Sequence, residues 1–318
     1  MMSDNPYHEG ELAVQQRANE ALTAGKNARA ISDCIPDGAL RFIEQQPMVI
    51  VGSVGCDNDV WASCLFGTPG FFRAKDNRTL SLDVSQPRSA AEDPLWQNVK
   101  ANAAVGLLII EFLSRRRLRI NGCMRPAPDS HYVIDVQAAY ANCPKYIQRR
   151  HWVLPDSTAP GPDKPSQCGS ELEPSQITWI EGADTFFVAS VHPRHGADAS
   201  HRGGMPGFVR ALDSRTLLVP DYSGNNMFNT LGNFVCYPHA GLVFVDFERN
   251  RLLQLTGSPD ILWDMADPRE ETGGTQRYWQ FTVRAWRESS LPLQLKWEFL
   301  DYSRFIPIAK NSECDLGS

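Results

Sequence analysis

The chain has 318 residues, 42% of them hydrophobic and 21% charged, a globular composition with apolar material for two cores. A formal charge of −6 and a pI near 5.7 exclude the basic surface that wraps nucleic acid or holds to anionic lipid. The first twenty residues lack the apolar core of a signal peptide and the longest apolar run, Val105 to Ile110, is too short to span a bilayer, so a cytoplasmic protein is expected.

Residues 9–30, EGELAVQQRANEALTAGKNARA, are rich in Ala, Glu, Gln and Leu and predict a helix within an N-terminal extension over 1–40. From 41 to 153 the pattern changes to short β-branched and aromatic runs, punctuated by Asp57-Asn58, Pro69-Gly70 and Asp76-Asn77. That predicts strands and hairpins, with one helical patch after the third strand, at Leu95 to Asn102. Residues 154–176, with their Pro, Ser and Gly, read as a linker. From 177 to 310 the earlier blocks return in the same order. VIVGSV at 49–54 matches FFVASV at 186–191, and PGFFRAKDNRTLSLD at 69–83 matches PGFVRALDSRTLLVP at 206–220, each 137 residues apart. VGLLIIEF at 105–112 then matches AGLVFVDF at 240–247, and RLRING at 117–122 matches LLQLTG at 252–257, now 135 apart. A second helical patch is expected at Asn226 to Cys236, paired strands over 279–307, and a tail at 311–318.

Blocks repeated in one order at nearly one spacing identify a tandem duplication. Six or so strands with a short helix per copy predict a mainly β fold with short helices, a pair of split β-barrels that form an internal pseudo-dimer. Further dimerisation stays open. The eight cysteines at 34, 56, 64, 123, 143, 168, 236 and 314 form no CxxC pair and no ligand spacing with histidine, so no metal site is expected.

The segment from Ala199 to Asn233, ASHRGGMPGFVRALDSRTLLVPDYSGNNMFNTLGN, concentrates glycines, amides and arginines between strands. Gly203, Gly204 and Gly207 permit close backbone approach, Arg202 and Arg210 offer charge-assisted bonds, and Asn225, Asn226 and Asn229 can donate and accept at a planar heterocycle. Read alone, the same residues are also hairpin turns with solvated arginines.

The run RGG-PGFVR, then TL-PDY-GNN-FNTLGN, followed by AGLVFVDF and LLQLTG, resembles the flavin-binding half of the pyridoxamine 5′-phosphate oxidase-like split barrels. HEGELAVQQRA at 8–18, RRRLRING at 115–122 and NCPKYIQRR at 142–150 are also similar to a flavin-nucleotide-binding subfamily of that group. The resemblance implies flavin mononucleotide (FMN) held by Ser200, Arg202, Gly207, Phe208, Val209, Arg210, Pro220, Asp221, Asn225 and Asn226. It departs from the family at the phosphate turn, where the pyridoxamine-type oxidases place two basic side chains and this chain has Asn226 and Met227. Arg202, Arg210 or, across the pseudo-twofold interface, the Arg115-Arg116-Arg117 cluster would have to compensate; a solvated basic edge is the other reading of that cluster. The first copy lacks the kit, with SCLFGTPGFFR in place of SHRGGMPGFVR, so one site per chain is expected.

Cys143, Lys145 and Tyr146 are the weak catalytic candidates, against a buried structural thiol beside a proline turn. The function implied is oxidoreduction of a small molecule by bound flavin, with Arg210 and nearby N–H groups stabilising the reduced ring. Electrons would come from NAD(P)H or a separate reductase, because the 318 residues contain neither a GxGxxG opening a helix nor a C-x4-C-x2-C run. Haem, deazaflavin or no cofactor at all remain the alternatives for a barrel of this type.

Overall fold

A computed structural model describes residues 5–85, 92–153, 165–291 and 295–308. The N-terminal stretch is not one helix. It divides into α1 (Glu9–Arg17), α2 (Ala21–Asn27) and a 3-10 turn at Ala28–Ala30, because Asn19 takes a left-handed φ of 56° between them. A short α3 (Leu40–Glu44) leads into the first copy.

That copy consists of β1 (Met48–Val54), β2 (Val60–Phe66), β3 (Phe72–Asp76), β4 (Thr79–Asp83), α4 (Leu95–Ala101), β5 (Ala104–Glu111), β6 (Arg116–Ala127) and β7 (His131–Ala141). After β8 (Arg149–Val153), β9 (Gln167–Gly169) and α5 (Pro174–Gly182) comes the second. Its elements are β10 (Thr185–His192), β11 (Gly196–Gly203), β12 (Arg210–Ala211), β13 (Thr216–Pro220), α6 (Asn229–Cys236), β14 (Ala240–Asp246), β15 (Arg251–Leu262) and β16 (Tyr278–Ser290). A last strand, β17 (Lys296–Asp301), closes the described chain.

The two sheets have one topology. The first runs β2-β1-β5-β6-β7-β4-β3 and the second β11-β10-β14-β15-β16-β13-β12, antiparallel throughout, and neither path joins its two ends. Each is therefore an open, split barrel, and the chain is mainly β with short helices. Even the irregularities repeat: the register shifts at Asn121/Gly122 of β6, where β7 bulges at Gln137, and at Thr256/Gly257 of β15, 135 residues on, where β16 bulges at Arg284. The glycine of RLRING and of LLQLTG sits there because a Cβ on Gly122 or Gly257 would meet the opposite strand's carbonyl oxygen at 2.4 or 2.1 Å.

Strands β1 and β10 are buried along their whole length because both faces are covered. Val49 and Val51 face the first copy's own core, whereas Met48 and Ile50 join Phe187, Ala189, Val243 and Val245 of the second copy in a shared core between the halves. Small residues let the copies meet. A Cβ on Gly52 would lie 3.0 Å from that of Ala189, its counterpart 137 residues on. Gly106 would press on the Asp198 backbone and Gly241, its counterpart, on that of Trp61, which is the counterpart of Asp198. Equivalent contacts exchanged in both directions are the mark of a twofold-like interface.

Three expectations change. Each helix follows the fourth strand of its copy, because each PGF block folds as a hairpin of two strands. Helix α6 starts at Asn229, since Asn226 and Phe228 both take left-handed φ of 59°. Strands β16 and β17 are not paired with each other: β16 has β15 on one side and β13 and β9 on the other, so β17 pairs instead with β8, Lys296 opposite Val153. Within 154–176, β9 and the start of α5 are ordered elements; 154–164, Pro292 and the 311–318 tail lie outside the described residues. No helix among the described residues is long and apolar enough to cross a membrane.

Candidate functional site between the copies

Strand β11 brings Ser200, His201, Arg202 and Gly203 to the interface, and the chain after β13 brings Asp221 to Asn226 against them. Helix α6 adds its first turn. From the first copy come Arg117 and Arg119 on β6, then Asn142, Cys143, Lys145 and Tyr146 after β7. Together they enclose a cavity of about 100 Å³.

The chain around this cavity is held in uncommon conformations. Tyr146, Asn226 and Phe228 all have left-handed φ, of 68°, 59° and 59°. Such conformations persist for residues other than glycine only where surrounding contacts over-determine them. Those contacts come from all three regions of the chain: Asn27 donates to the Asn225 carbonyl (2.7 Å), Gln15 to the Met227 carbonyl (3.1 Å), and Asn225 to Asn142 (2.9 Å). The N-terminal extension thus buttresses the turn. Met227 is buried beside Tyr7, Ala24 and Tyr140, so no basic side chain could serve from that position.

Charge is unevenly matched. Asp221, 3% exposed, accepts from Arg202 at 3.0 Å and from Arg277 at 2.7 and 2.8 Å. Arg119, buried, pairs with Asp198 at 2.9 Å and also donates to Ser200, Asn229 and Tyr140. Arg117 is half-buried, reaches only the His201 carbonyl at 3.4 Å, and has no ion-pair partner among the described residues. Burial, then the neighbouring Arg119, push its guanidinium down to about 9. His201 is held well below the usual histidine range by burial and by Arg117, Arg150 and Arg202, so its ring is neutral.

Among the described residues, Arg117 Nε, Arg202 Nε, Asn142 Nδ2 and both ring nitrogens of His201 are buried without a hydrogen-bond partner. Three of these atoms are obligate donors and a neutral imidazole supplies a fourth. No side chain caps the N-terminus of α6 at the same cavity. Unsatisfied donors, an uncapped helix start and a guanidinium without counter-charge converge on one requirement, an anion.

Of the residues expected from sequence, Ser200, Arg202, Phe208, Pro220, Asp221, Asn225 and Asn226 line this cavity, as do Cys143, Lys145 and Tyr146. Gly207, Val209 and Arg210 do not. Gly207 is a turn residue bonded to the Glu181 carbonyl, Val209 is sunk in the second copy's core, and Arg210 turns out to solvent, 3.4 Å from Glu271. Of the basic cluster, Arg115 pairs with Asp301 and Arg116 with Glu111, leaving Arg117 alone to enter the site. Arg119, Asp198 and Arg277 were not singled out in the sequence; the repeat holds the signal, since β6 carries Arg117 and Arg119 where β15 carries Leu252 and Gln254.

The pseudo-equivalent position is filled. Ser63, counterpart of Ser200, donates to Asp93 at 2.5 Å, and Gln254, counterpart of Arg119, donates to Asp93 at 3.2 Å and to the Ala62 carbonyl at 2.9 Å. Leu65 stands where the second copy has Arg202. Among the described residues, no Lys or Arg side chain hydrogen-bonds to Ser63, Asp93 or Gln254.

Two groups that share His192, one with His8 and Cys236 and the other with Glu9 and His195, lie close enough to suggest a metal. Tautomers argue otherwise. His8 Nδ1 accepts from the Gly10 and Glu11 amides and His192 Nδ1 from those of Arg194 and His195, so each neutral ring carries its proton on Nε2, facing Asn233 and Glu9. Ligation through Nε2 would set a ring N–H against backbone N–H groups.

No family model and no curated protein matches the chain. Among solved structures it is similar to HupZ of Group A Streptococcus, with 15% identity over 36% of this chain and 90% of that one and a TM-score of 0.29. It is also similar to a putative pyridoxamine 5′-phosphate oxidase of Lactobacillus delbrueckii (11%, 36% and 93%, TM-score 0.30) and to the heme storage protein HutZ of Vibrio cholerae (13%, 36% and 89%, TM-score 0.26).

Proposed function

We propose that the chain binds a phosphorylated planar cofactor, flavin mononucleotide, through its phosphate in the cavity between the copies, and serves as an oxidoreductase toward a small molecule. The observation that carries the phosphate is Arg117, a cation inside the interface with no carboxylate partner among the described residues, beside the unsatisfied Nε of Arg202. The flavin identity rests on the sequence resemblance. Bound flavin supplies hydride and electron transfer; the chain's residues supply position and charge.

The donor set fits a phosphate; the volume does not hold the ring. About 100 Å³ suffices for the anion, whereas ligands with several rings occupy pockets of roughly 300 Å³ or more. Tyr146 stands in the lining, its ring against Tyr222 (centroids 4.9 Å apart) and its hydroxyl donating to the Ser223 carbonyl at 2.6 Å. Binding the whole cofactor therefore requires the lining to move, and Tyr146 is the side chain whose displacement is tested.

The test is titration of the purified chain with flavin mononucleotide, followed by quenching of flavin fluorescence, with inorganic phosphate and riboflavin as competitors. Saturable binding weakened by phosphate, with riboflavin far weaker, is expected, and Tyr146→Ala should speed association. Binding of riboflavin as tight as that of the mononucleotide removes the phosphate role of Arg117; failure of both to bind removes flavin.

A further inference from the structure

Helix α1 carries a buried carboxyl toward the arginine-lined cavity. His8 caps the helix, and Glu11 turns back to accept from the His8 backbone N–H at 2.8 Å, so the reciprocal cap fixes the Glu11 side chain. The helix lies against α6 through two glycines: a Cβ on Gly10 would meet the Gly232 carbonyl oxygen at 2.2 Å, and one on Gly232 would meet the Glu11 nitrogen at 2.6 Å. That approach sets Glu11, 4% exposed, against Asn229 in the first turn of α6.

From Glu11 a chain of hydrogen bonds runs into the site. The Asn229 amide donates to Glu11 Oε1, and Asn229 Oδ1 accepts from Arg119 at 2.8 Å, so one amide joins the carboxyl to the guanidinium. Arg119 and Asn229 line the smaller, arginine-lined cavity. Glu11 and Asp198 line a larger one, about 620 Å³ in volume, and Asn229 belongs to both. Arg119 thus has one carboxylate in contact, that of Asp198, and a second carboxyl one amide away.

With Glu11 ionised, Arg119 stands between two carboxylates and little of its charge is left for a ligand; with Glu11 protonated, one of them is gone. We propose that Glu11 regulates the anion site: its ionised carboxylate, held to Arg119 through Asn229, opposes an anion in the smaller cavity, and its protonation admits one, so that anion and proton bind together. This rests on the anion reading of that cavity. Burial pushes the Glu11 carboxyl up to about 7 and the Asp198 carboxylate adds to the rise, against the His8 N–H, the Asn229 amide and Arg119. The other titratable groups facing it are the His8 ring at 3.5 Å, Tyr7, Tyr140 and Cys236. Burial raises both phenols and the thiol, and burial with His192 and His195 lowers His8 to about 4, so Glu11 is the one of these that changes charge near pH 7. An anion beside Arg119 favours the protonated carboxyl, and by linkage its affinity falls as pH rises through about 7.

The probe is inorganic sulfate, which keeps both charges across the range in which a phosphate takes its second, near about pH 6. Titration calorimetry on the full chain, in two buffers of different ionisation enthalpy, reads affinity and proton uptake together. Sulfate affinity should fall about tenfold from about pH 5.5 to about pH 8.5, with about half a proton taken up near about pH 7.5. Glu11→Gln should bind at every pH as tightly as wild type does at the acid end, with no uptake. Carboxyl NMR of Glu11 in the wild-type chain needs no variant to fold, and should find the group about a tenfold weaker acid when sulfate is saturating. Absence of sulfate binding at every pH sinks the anion site and this role with it. Sulfate binding that is pH-independent in wild type, or equally pH-dependent in folded Glu11→Gln, or a Glu11 that titrates alike with and without sulfate, overturns the role of Glu11 and leaves the anion site standing.

Discussion

Replacing Arg117 by methionine should move two properties in opposite directions. Without ligand, the guanidinium stands inside the interface facing no carboxylate, and burial holds it down to about 9. Each tenfold change in protonation is about 1.4 kcal/mol, so the penalty is at most a few kcal/mol, and partial exposure reduces it to about 1–2 kcal/mol. Methionine keeps the length and removes the charge, so the free protein should gain roughly that much, consistent with the neutral-to-stabilising effect of exchanging buried ions for apolar side chains. In a chain of this size the gain is a rise in Tm of about 2–4 °C per kcal/mol. With phosphate ligand present, the same change removes a charge-assisted hydrogen bond of about 1.5–3 kcal/mol, which weakens binding by about 10- to 150-fold. Thermal melts with and without ligand, paired with a titration, measure both quantities on one sample. A variant that is less stable when free and binds as well as wild type would show that Arg117 is structural and that the anion site is misplaced.

Arg210→Ala should leave ligand binding unchanged and cost less than about 1 kcal/mol, because Arg210 forms only an exposed pair with Glu271; a tenfold loss in the same titration would return it to the site. Gly106→Val should lower the urea midpoint by the equivalent of about 3 kcal/mol or more, since even a Cβ would lie 2.3 Å from the Asp198 backbone. Gly25→Ala, where nothing lies within 4 Å, is its control and should be neutral or stabilising; equal midpoints for the two would deny the close approach of the copies. Glu11 titrates near 7, against 4.5 when unfolded, chiefly through burial. The folded state binds that proton more tightly, so the group's contribution is complete below about pH 4.5 and is lost as pH rises through about 7. Relative to wild type, Glu11→Gln should therefore gain on the order of 2–3 kcal/mol between those limits, read by urea unfolding at several pH values. His8 acts with the opposite sign, its pKa lowered to about 4, and is common to both proteins; a flat difference would mean that Glu11 is solvated.

The duplication was legible because it is written in block order and spacing, and those blocks are the strands that build each sheet. The glycines were legible as conserved punctuation of the repeat without their reason: that Gly106 and Gly241 mark the contact between copies needs the second copy in place. For the site, Asn225 and Asn226 lie in the segment whose glycines, amides and arginines single it out in the sequence; the left-handed backbone at Asn226 is visible only in the structure. Arg202 and Arg210 look alike in sequence, but alternation along β11 turns the first inward, and the short β12 turns the second to solvent, outside the cavity lining. The partner of β17 could not be read either, because strand pairing depends on which edges the earlier strands have already filled.

In a homodimer built of one barrel, both interface sites would carry the same residues and the cost of enclosing charge would arise twice. Duplication removes that constraint. Here Arg119 and Arg202 of one site face Gln254 and Leu65 in the other, so the charged cluster exists once and the equivalent position closes on Ser63 and Asp93. Asymmetry of this kind also lets a single ion pair divide two compartments of opposite sign. Arg119 lines the smaller cavity and Asp198 the larger one. Arg119→Gln, which copies the first site onto the second, removes a cation from the lining of the smaller cavity and should weaken binding of phosphate. Phosphate binding unchanged in the folded variant would mean that Arg119 serves only to hold Asp198 at the contact between the copies.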